Sequence, residues 1–288
     1  MFEELSFERL DRSFDLLKAS SALLLKDRGL LVFPVISSVA SILVVASFAL
    51  PLGGMRALDA LSNHGSALTP PQFVTAFLFY LSQYFVIFFF NTALVGAVMM
   101  QFDGETPTLG DGLRIAVSRV YSILGYAFIA ATVGMLLHAI QRRLGFVGRL
   151  IVGLLGVGWT LATYLVVPVL AARDLGPIEA IAESAELFKR TWGENVIGPV
   201  SLGLAFMLIY FGVFLCGAVL IGVAGALHSA FLKIVMEMVV IGAVVLTALI
   251  NATLSGIYAA ALYRYATYPG HTSGFDSRAL EEAFQPAD

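Results

Sequence analysis

Charge is what this chain has least of. Asp, Glu, Lys and Arg together make 13% of its 288 residues, about half the share usual in soluble domains. Hydrophobic residues reach 59%, so a water-soluble globule is excluded: there is too little polar surface to clothe one. Cysteine is nearly absent. The single Cys216 lies inside an apolar run, which rules out an intramolecular disulfide and a CxxC redox or zinc motif and leaves a buried thiol as the expectation. No Ser/His/Asp elbow, HExxH pair, P-loop or dinucleotide fingerprint occurs. The longest polar segments run to about twenty residues, too short for a separate domain. The first thirty residues are acid-rich and amphipathic rather than basic and then apolar, so no cleavable leader is expected and the first span should remain as an anchor.

Long apolar runs are abundant. Six are long enough to cross about 30 Å of hydrocarbon as helices: 30–52, 72–101, 121–140, 150–172, 195–221 and 233–267. Phe (22) and Gly (27) are frequent, as expected where helices meet lipid and one another. At 1.5 Å per residue the second run is roughly 45 Å long and the sixth roughly 52 Å, so both should overshoot the bilayer. Pro34 and Pro199 fall in the first turns of their runs, where a missing N–H is tolerated.

Three shorter segments carry a different period. In Pro177–Trp192, Ile178, Ile181, Ala185, Phe188 and Trp192 recur every three or four residues, with Glu179, Glu183, Glu186 and Arg190 elsewhere. That spacing predicts an amphipathic helix lying on a membrane surface. Ser6–Arg28, with Phe7, Leu10, Phe14, Leu17 and Leu24, reads the same way. So does Leu109–Val120, for which Thr108 and Asp111 form a variant capping box. Each of the three introduces a pair of spans. The sequence therefore predicts an all-α, polytopic membrane protein: six transmembrane helices as three hairpins, each preceded by a cytoplasmic amphipathic helix. It is one membrane domain, 1–288, with a cytoplasmic tail over 269–288.

The side that carries these three segments and both termini holds 12 of the 17 Lys and Arg residues, which by the positive-inside rule puts both termini in the cytoplasm. The thirds 6–104, 105–176 and 177–288 also read as a pseudo-threefold repeat. Their inward spans share Asn91-x4-Gly96, Thr163-x4-Pro168 and Asn251-x4-Gly256, and parallel repeats about the membrane normal are an established pattern.

Several segments together carry a resemblance: LLVFPVIS (30–37), FFNTALVGA (89–97), WTLATYLVVPV (159–169), ESAELFKRTWGEN (183–195), ALYRYAT (261–267) and GF (274–275). Through them the chain resembles an uncharacterised family of bacterial six-span integral membrane proteins, a domain of unknown function. It is more distantly similar to the membrane domain preceding some glycerophosphodiester phosphodiesterases and to YciC-like inner-membrane proteins. The resemblance implies a bacterial cytoplasmic-membrane location. It brings no catalytic residues, and no phosphodiesterase domain is present.

The polar residues inside the spans are the candidate sites. Glu237 is the only acid in a span, and a charge in the bilayer marks a functional candidate; Lys233, four residues earlier, offers it an interfacial ion pair instead. Asn91, Thr163 and Asn251 lie deeper and suit either a polar solute or interhelical hydrogen bonding beside Gly96 and Gly256. Trp192 reads as a membrane-surface anchor. His64, His138 and His228, one in each hairpin, could in principle meet at a zinc ion, but no helical His pair supports this. The aromatic block Tyr84, Phe85, Phe88, Phe89 and Phe90 reads as lipid-facing, and Gly153, Gly156 and Gly158 as a close-packing surface. Neither an enzyme nor a cofactor or metal is expected, and no nucleic acid. The function expected is a scaffold, accessory subunit or lipid-organising protein, whose partners are membrane lipids, other membrane proteins or a cytoplasmic protein. The alternative is a channel or facilitator for an uncharged or lipid-like solute, lined by Asn91, Asn251 and Thr163.

Overall fold

The computed structural model describes residues 28–49, 70–195, 197–226 and 229–267. The first amphipathic segment, the first outer loop with His64, the position of His228 and the tail lie outside the described residues. A 3₁₀ turn, Arg28–Leu31, leads into α1 (Val32–Ala49). There follow α2 (Pro70–Phe102), α3 (Leu109–Ser118), α4 (Val120–Arg143), α5 (Phe146–Ala162), α6 (Val166–Ala172), α7 (Pro177–Asn195), α8 (Ile197–Ala226) and α9 (Ala230–Thr267). All regular structure among the described residues is helical. Among the described residues, six helical segments are long and apolar enough to cross a membrane, α5 and α6 together counting as one. The protein is a multi-pass membrane protein.

Local chemistry sets the helix ends. Pro70 and Pro71 open α2, where their missing N–H groups are unpaired anyway. Gly104 (φ +84°) closes it: its N–H donates to Gln101 O and that of Glu105 to Met100 O, both at 3.1 Å. This 6→1 and 5→2 pair needs a left-handed residue, which glycine supplies. Thr108 and Asp111 make the full capping box on α3. The Asp111 N–H donates to Thr108 Oγ1 at 3.3 Å, and the Thr108 N–H donates to Asp111 Oδ2 at 3.0 Å.

α2 is the axis of the bundle, packing against α1, α3, α4, α6 and α9, whereas α8 packs chiefly on α9. In lipid the burial of apolar surface does not by itself drive helices together, because lipid tails are as apolar as leucine. Close approach does. A Cβ at Gly96 would meet Ile115 Cδ1 at 2.9 Å, one at Gly256 would meet Leu94 Cδ2 at 2.6 Å, and one at Gly112 would meet Ala93 O at 2.6 Å. By contrast, a Cβ at Gly153, Gly156 or Gly158 would meet nothing within 4 Å. The close-packing surface expected there is not found, because α5 turns these glycines away from its neighbours.

The core lies toward one end of the bundle, where Leu30, Phe33, Thr92–Val98, Leu165, Val166, Val169, Leu170 and Ile257–Tyr263 are buried. Ion pairs stitch the helix ends there. Arg264 Nη1 lies 2.7 Å from Asp103 Oδ1, Arg173 Nη1 lies 2.9 Å from Glu183 Oε1, and Arg119 pairs with Asp174. Toward the other end the helices present large apolar side chains outward, among them Ile42, Leu155, Phe214 and Met238.

Candidate functional site

The fourth span is not one helix. Pro168 has no N–H to offer the Tyr164 carbonyl, and its ring crowds that carbonyl, so the helix stops at Ala162 and restarts at Val166. Thr163 (φ −98°, ψ 4°) and Leu165 (φ −97°, ψ 7°) sit in the sparsely populated bridge region. The main chain tightens to i→i−3 bonds here: Tyr164 N–H donates to Leu161 O at 3.3 Å and Val166 N–H to Thr163 O at 3.2 Å. This strands the Leu165 N–H and the Ala162 carbonyl, which must find partners if buried away from water.

One side chain serves both. Ser184 Oγ, fully buried on α7, accepts from the Leu165 N–H at 3.0 Å and donates to Ala162 O at 2.7 Å. Beside it, Thr163 Oγ1 donates to Trp159 O at 2.8 Å, and the hydroxyl of the buried Tyr126 faces Thr163. The Tyr126 ring stacks on Phe88 with centroids 4.4 Å apart. The break thus lies among α2, α4 and α7, in protein rather than in lipid.

α7 is held to the same region by its flanks. Glu183, next to Ser184, pairs with Arg173 at the end of α6, and the Arg173 side chain lies near Tyr263 of α9. Ser122 Oγ donates to Leu175 O at 2.8 Å, and Pro177 fills the space that a side chain at Gly125 would need. The buried face of α7 is Ala180, Ser184, Leu187 and Phe188. Of the expected stripe, Phe188 is buried and Ile181 packs against the core, but Ile178 is 72% exposed. The small residues Ala180 and Ser184 join the buried face, since they permit close approach.

The residues singled out from sequence fall in different places. Leu94 abuts Gly256 while Asp103 pairs with Arg264, so α2 and α9 run parallel. This puts Asn91 and Asn251 at similar depth on neighbouring helices, each partly buried. Asn251 Oδ1 accepts from Ser255 Oγ at 3.3 Å. Thr163 stands apart from them, with Tyr126. Glu237 Oε1 lies 3.9 Å from Lys233 Nζ, both half-exposed toward the opposite end of the bundle. The Trp192 side chain lies outside the described residues, and so do His64 and His228. Among the described residues no three His, Cys, Asp or Glu side chains come together as metal ligands would. Cys216 is exposed on α8 rather than buried. Tyr84, Phe85, Phe88 and Phe89 are partly buried, and Phe85, Phe88 and Phe89 pack against the core, so the aromatic block is not simply lipid-facing. Sequence reasoning missed Ser184 and Tyr126. The signal that could have found the first was Pro168 in mid-span, which frees polar groups for which a neighbour must provide.

Chemically, the arrangement consists of hydroxyls and amides bonded to one another. A family model described as a family of unknown function, DUF6159, matches residues 71–275. No curated protein and no solved structure matches the chain.

Proposed function

The chain belongs to DUF6159, a family of unknown function, and on that footing we propose a non-enzymatic multi-pass protein of the bacterial cytoplasmic membrane. It serves as a scaffold, accessory subunit or lipid-organising element. One observation carries this reading: hydroxyls of the described spans are bonded within the bundle itself, while the buried Gln83 Oε1, Gln101 Oε1 and Tyr258 hydroxyl are left without a partner. Thr92, Thr163 and Thr253 bond their own i−4 carbonyls, Ser184 bridges the broken span, and Ser255 bonds Asn251. Between Asn91 and Asn251 and the ion-paired end, Leu94 fills the space against Gly256 and Ile115 that against Gly96. A route for a solute past these residues finds packed side chains. The distant likeness to phosphodiesterase membrane domains and YciC-like proteins adds no residue to this reading.

The reading includes three hairpins, each introduced by a surface helix, with both termini cytoplasmic. Two surface helices support the repeat by their matching details. In each, the third residue is an acid whose carboxylate accepts the N–H of the residue preceding the helix: Asp111 from Thr108 at 3.0 Å, Glu179 from Gly176 at 2.9 Å. In each, small residues four and eight positions after that preceding residue are buried, Gly112 and Ala116 in α3, Ala180 and Ser184 in α7. The lipid-contact surface extends from Leu124 and Phe128 on α4 to Tyr121 (87% exposed), and Val117 of α3 and Ile178 of α7 are exposed as well. Apolar side chains ending in a tyrosine suit the boundary between acyl chains and headgroups.

The deciding experiment is affinity purification in mild detergent with mass spectrometry of the co-purifying proteins and lipids. A stoichiometric protein or an enriched lipid class is the expected result. Saturable uptake of a neutral solute by proteoliposomes, lost on Asn91→Leu, would overturn the reading in favour of a facilitator. Reporter fusions should place the C-terminus in the cytoplasm.

A further inference from the structure

α5 and α6 form one span in two mechanically different pieces. In α6, Val166, Pro168, Val169 and Leu170 are buried, and the helix packs on α2 and α7. In α5, Val152 is the only buried residue among those whose side chains are described, and its packing is chiefly on α4 and α7. Gly153, Gly156 and Gly158 face open space. A lightly supported rod is thus joined to a fixed stub by three residues outside helical geometry, and a kink with an identified cause is where a helix can bend.

We propose that residues 163–165 are a hinge on which α5 pivots, and that Ser184 is the latch that sets its angle. The hydroxyl grips both sides of the joint. Ala162 O is the last carbonyl of α5, and the Leu165 N–H immediately precedes α6; the two bonds are 2.7 and 3.0 Å long. The neighbouring residue, Glu183, holds Arg173 at the far end of α6. α7 therefore clasps the stub at both ends and the rod at one. A shift of α7 by a fraction of a helical turn breaks the bridge and strands an amide and a carbonyl in a dry site. That strain is relieved only by re-angling α5. The surface helix and the membrane-crossing rod are in this way one lever, and it goes beyond the scaffold reading by making the bundle able to change shape.

The test is pulsed electron spin resonance in phospholipid nanodiscs. The full chain carries Cys216→Ser and spin labels at Leu78→Cys on α2 and Leu155→Cys on α5, both exposed positions. Ser184→Ala should broaden the distance distribution and speed amide exchange in 163–166, and Ser184→Thr should restore both. Pro168→Ala, which returns an N–H to the Tyr164 carbonyl, should shift the mean distance and make it insensitive to Ser184→Ala. A distribution unchanged by Ser184→Ala despite lowered thermal stability would show a purely structural bond and overturn the proposal. If Ser184→Ala does not fold, an unshifted distance in Pro168→Ala overturns it alone.

Discussion

A single methyl group tests how α3 is seated on the bundle. At Gly112 it would stand 2.6 Å from the carbonyl oxygen of Ala93 and 2.7 Å from Phe33 Cζ. Neither neighbour yields cheaply. The carbonyl belongs to the backbone of α2, the axis on which five other helices pack, and Phe33 is buried at the start of α1. Overpacking costs about 1–3 kcal/mol, and a backbone obstacle argues for the upper half of that range. Replacing a mid-helix glycine by alanine returns about 1 kcal/mol. Gly112→Ala should therefore lose about 1–2 kcal/mol net. Gly110, two residues earlier on the same helix, is the control, since a Cβ there meets only Thr108 Oγ1 at 3.6 Å. Gly110→Ala should gain a few tenths of a kcal/mol, being in the first turn. The two variants should thus differ by about 2 kcal/mol, roughly thirtyfold in the folded-to-unfolded ratio. Reversible unfolding of the full chain by SDS in mixed micelles measures the difference. Equal stability of the two variants would mean that α3 does not lie against α2 as described.

Asp111 gives a pH signature. The Thr108 hydroxyl, and then the Thr108 N–H, hold its carboxyl below the usual carboxylate range. A depressed folded pKa stabilises above the unfolded value of about 3.9 and is lost as pH falls through the folded one. The stability gap between wild type and Asp111→Asn should stay constant from about pH 7 to pH 5 and close below about pH 4; a gap that closes near neutrality refutes the cap. A double-mutant cycle on Asp103→Asn and Arg264→Gln should give a coupling of about 1 kcal/mol or less, because Asp103 is 59% exposed although Arg264 is only 19% so. A coupling of zero in low salt would mean that α2 and α9 are not joined there. Tyr126→Phe and Thr163→Val should each cost about 1 kcal/mol, and together little more than either; additive losses measured in the same SDS titrations would show that the two hydroxyls do not meet.

What was legible in the sequence was whatever depends on local chemistry or on length. The overlong second and sixth spans appear as helices of 33 and 38 residues, because apolar run length directly sets helix length in lipid. The cap at Thr108 and the Pro177 start were likewise local. The break in the fourth span was only half legible. Pro168 stood in view, but Pro34 had shown that a proline can also sit harmlessly, and the difference is whether four helical residues precede it. Which side of α7 is buried was only partly legible from periodicity. Phe188 of the bulky apolar stripe is buried and Ile178 of the same stripe is exposed, while Ala180 and Ser184 recur at the same spacing and are buried; which residues meet the bundle depends on how near the neighbouring backbone comes. Ser184 was passed over for the same reason. A lone serine on a helix is unremarkable until another span loses a hydrogen bond beside it.

The ion pair between Asp103 and Arg264 has a consequence for how the chain is made. Its partners are separated by more than half the sequence, and Gly256, against which Leu94 of the axial helix packs, lies in α9 as well. During synthesis the axial helix must wait in the bilayer, its Leu94 and Asp103 without these partners, until α9 arrives. α9 is the keystone of the described bundle, and a chain halted before residue 253 should be inserted yet unassembled.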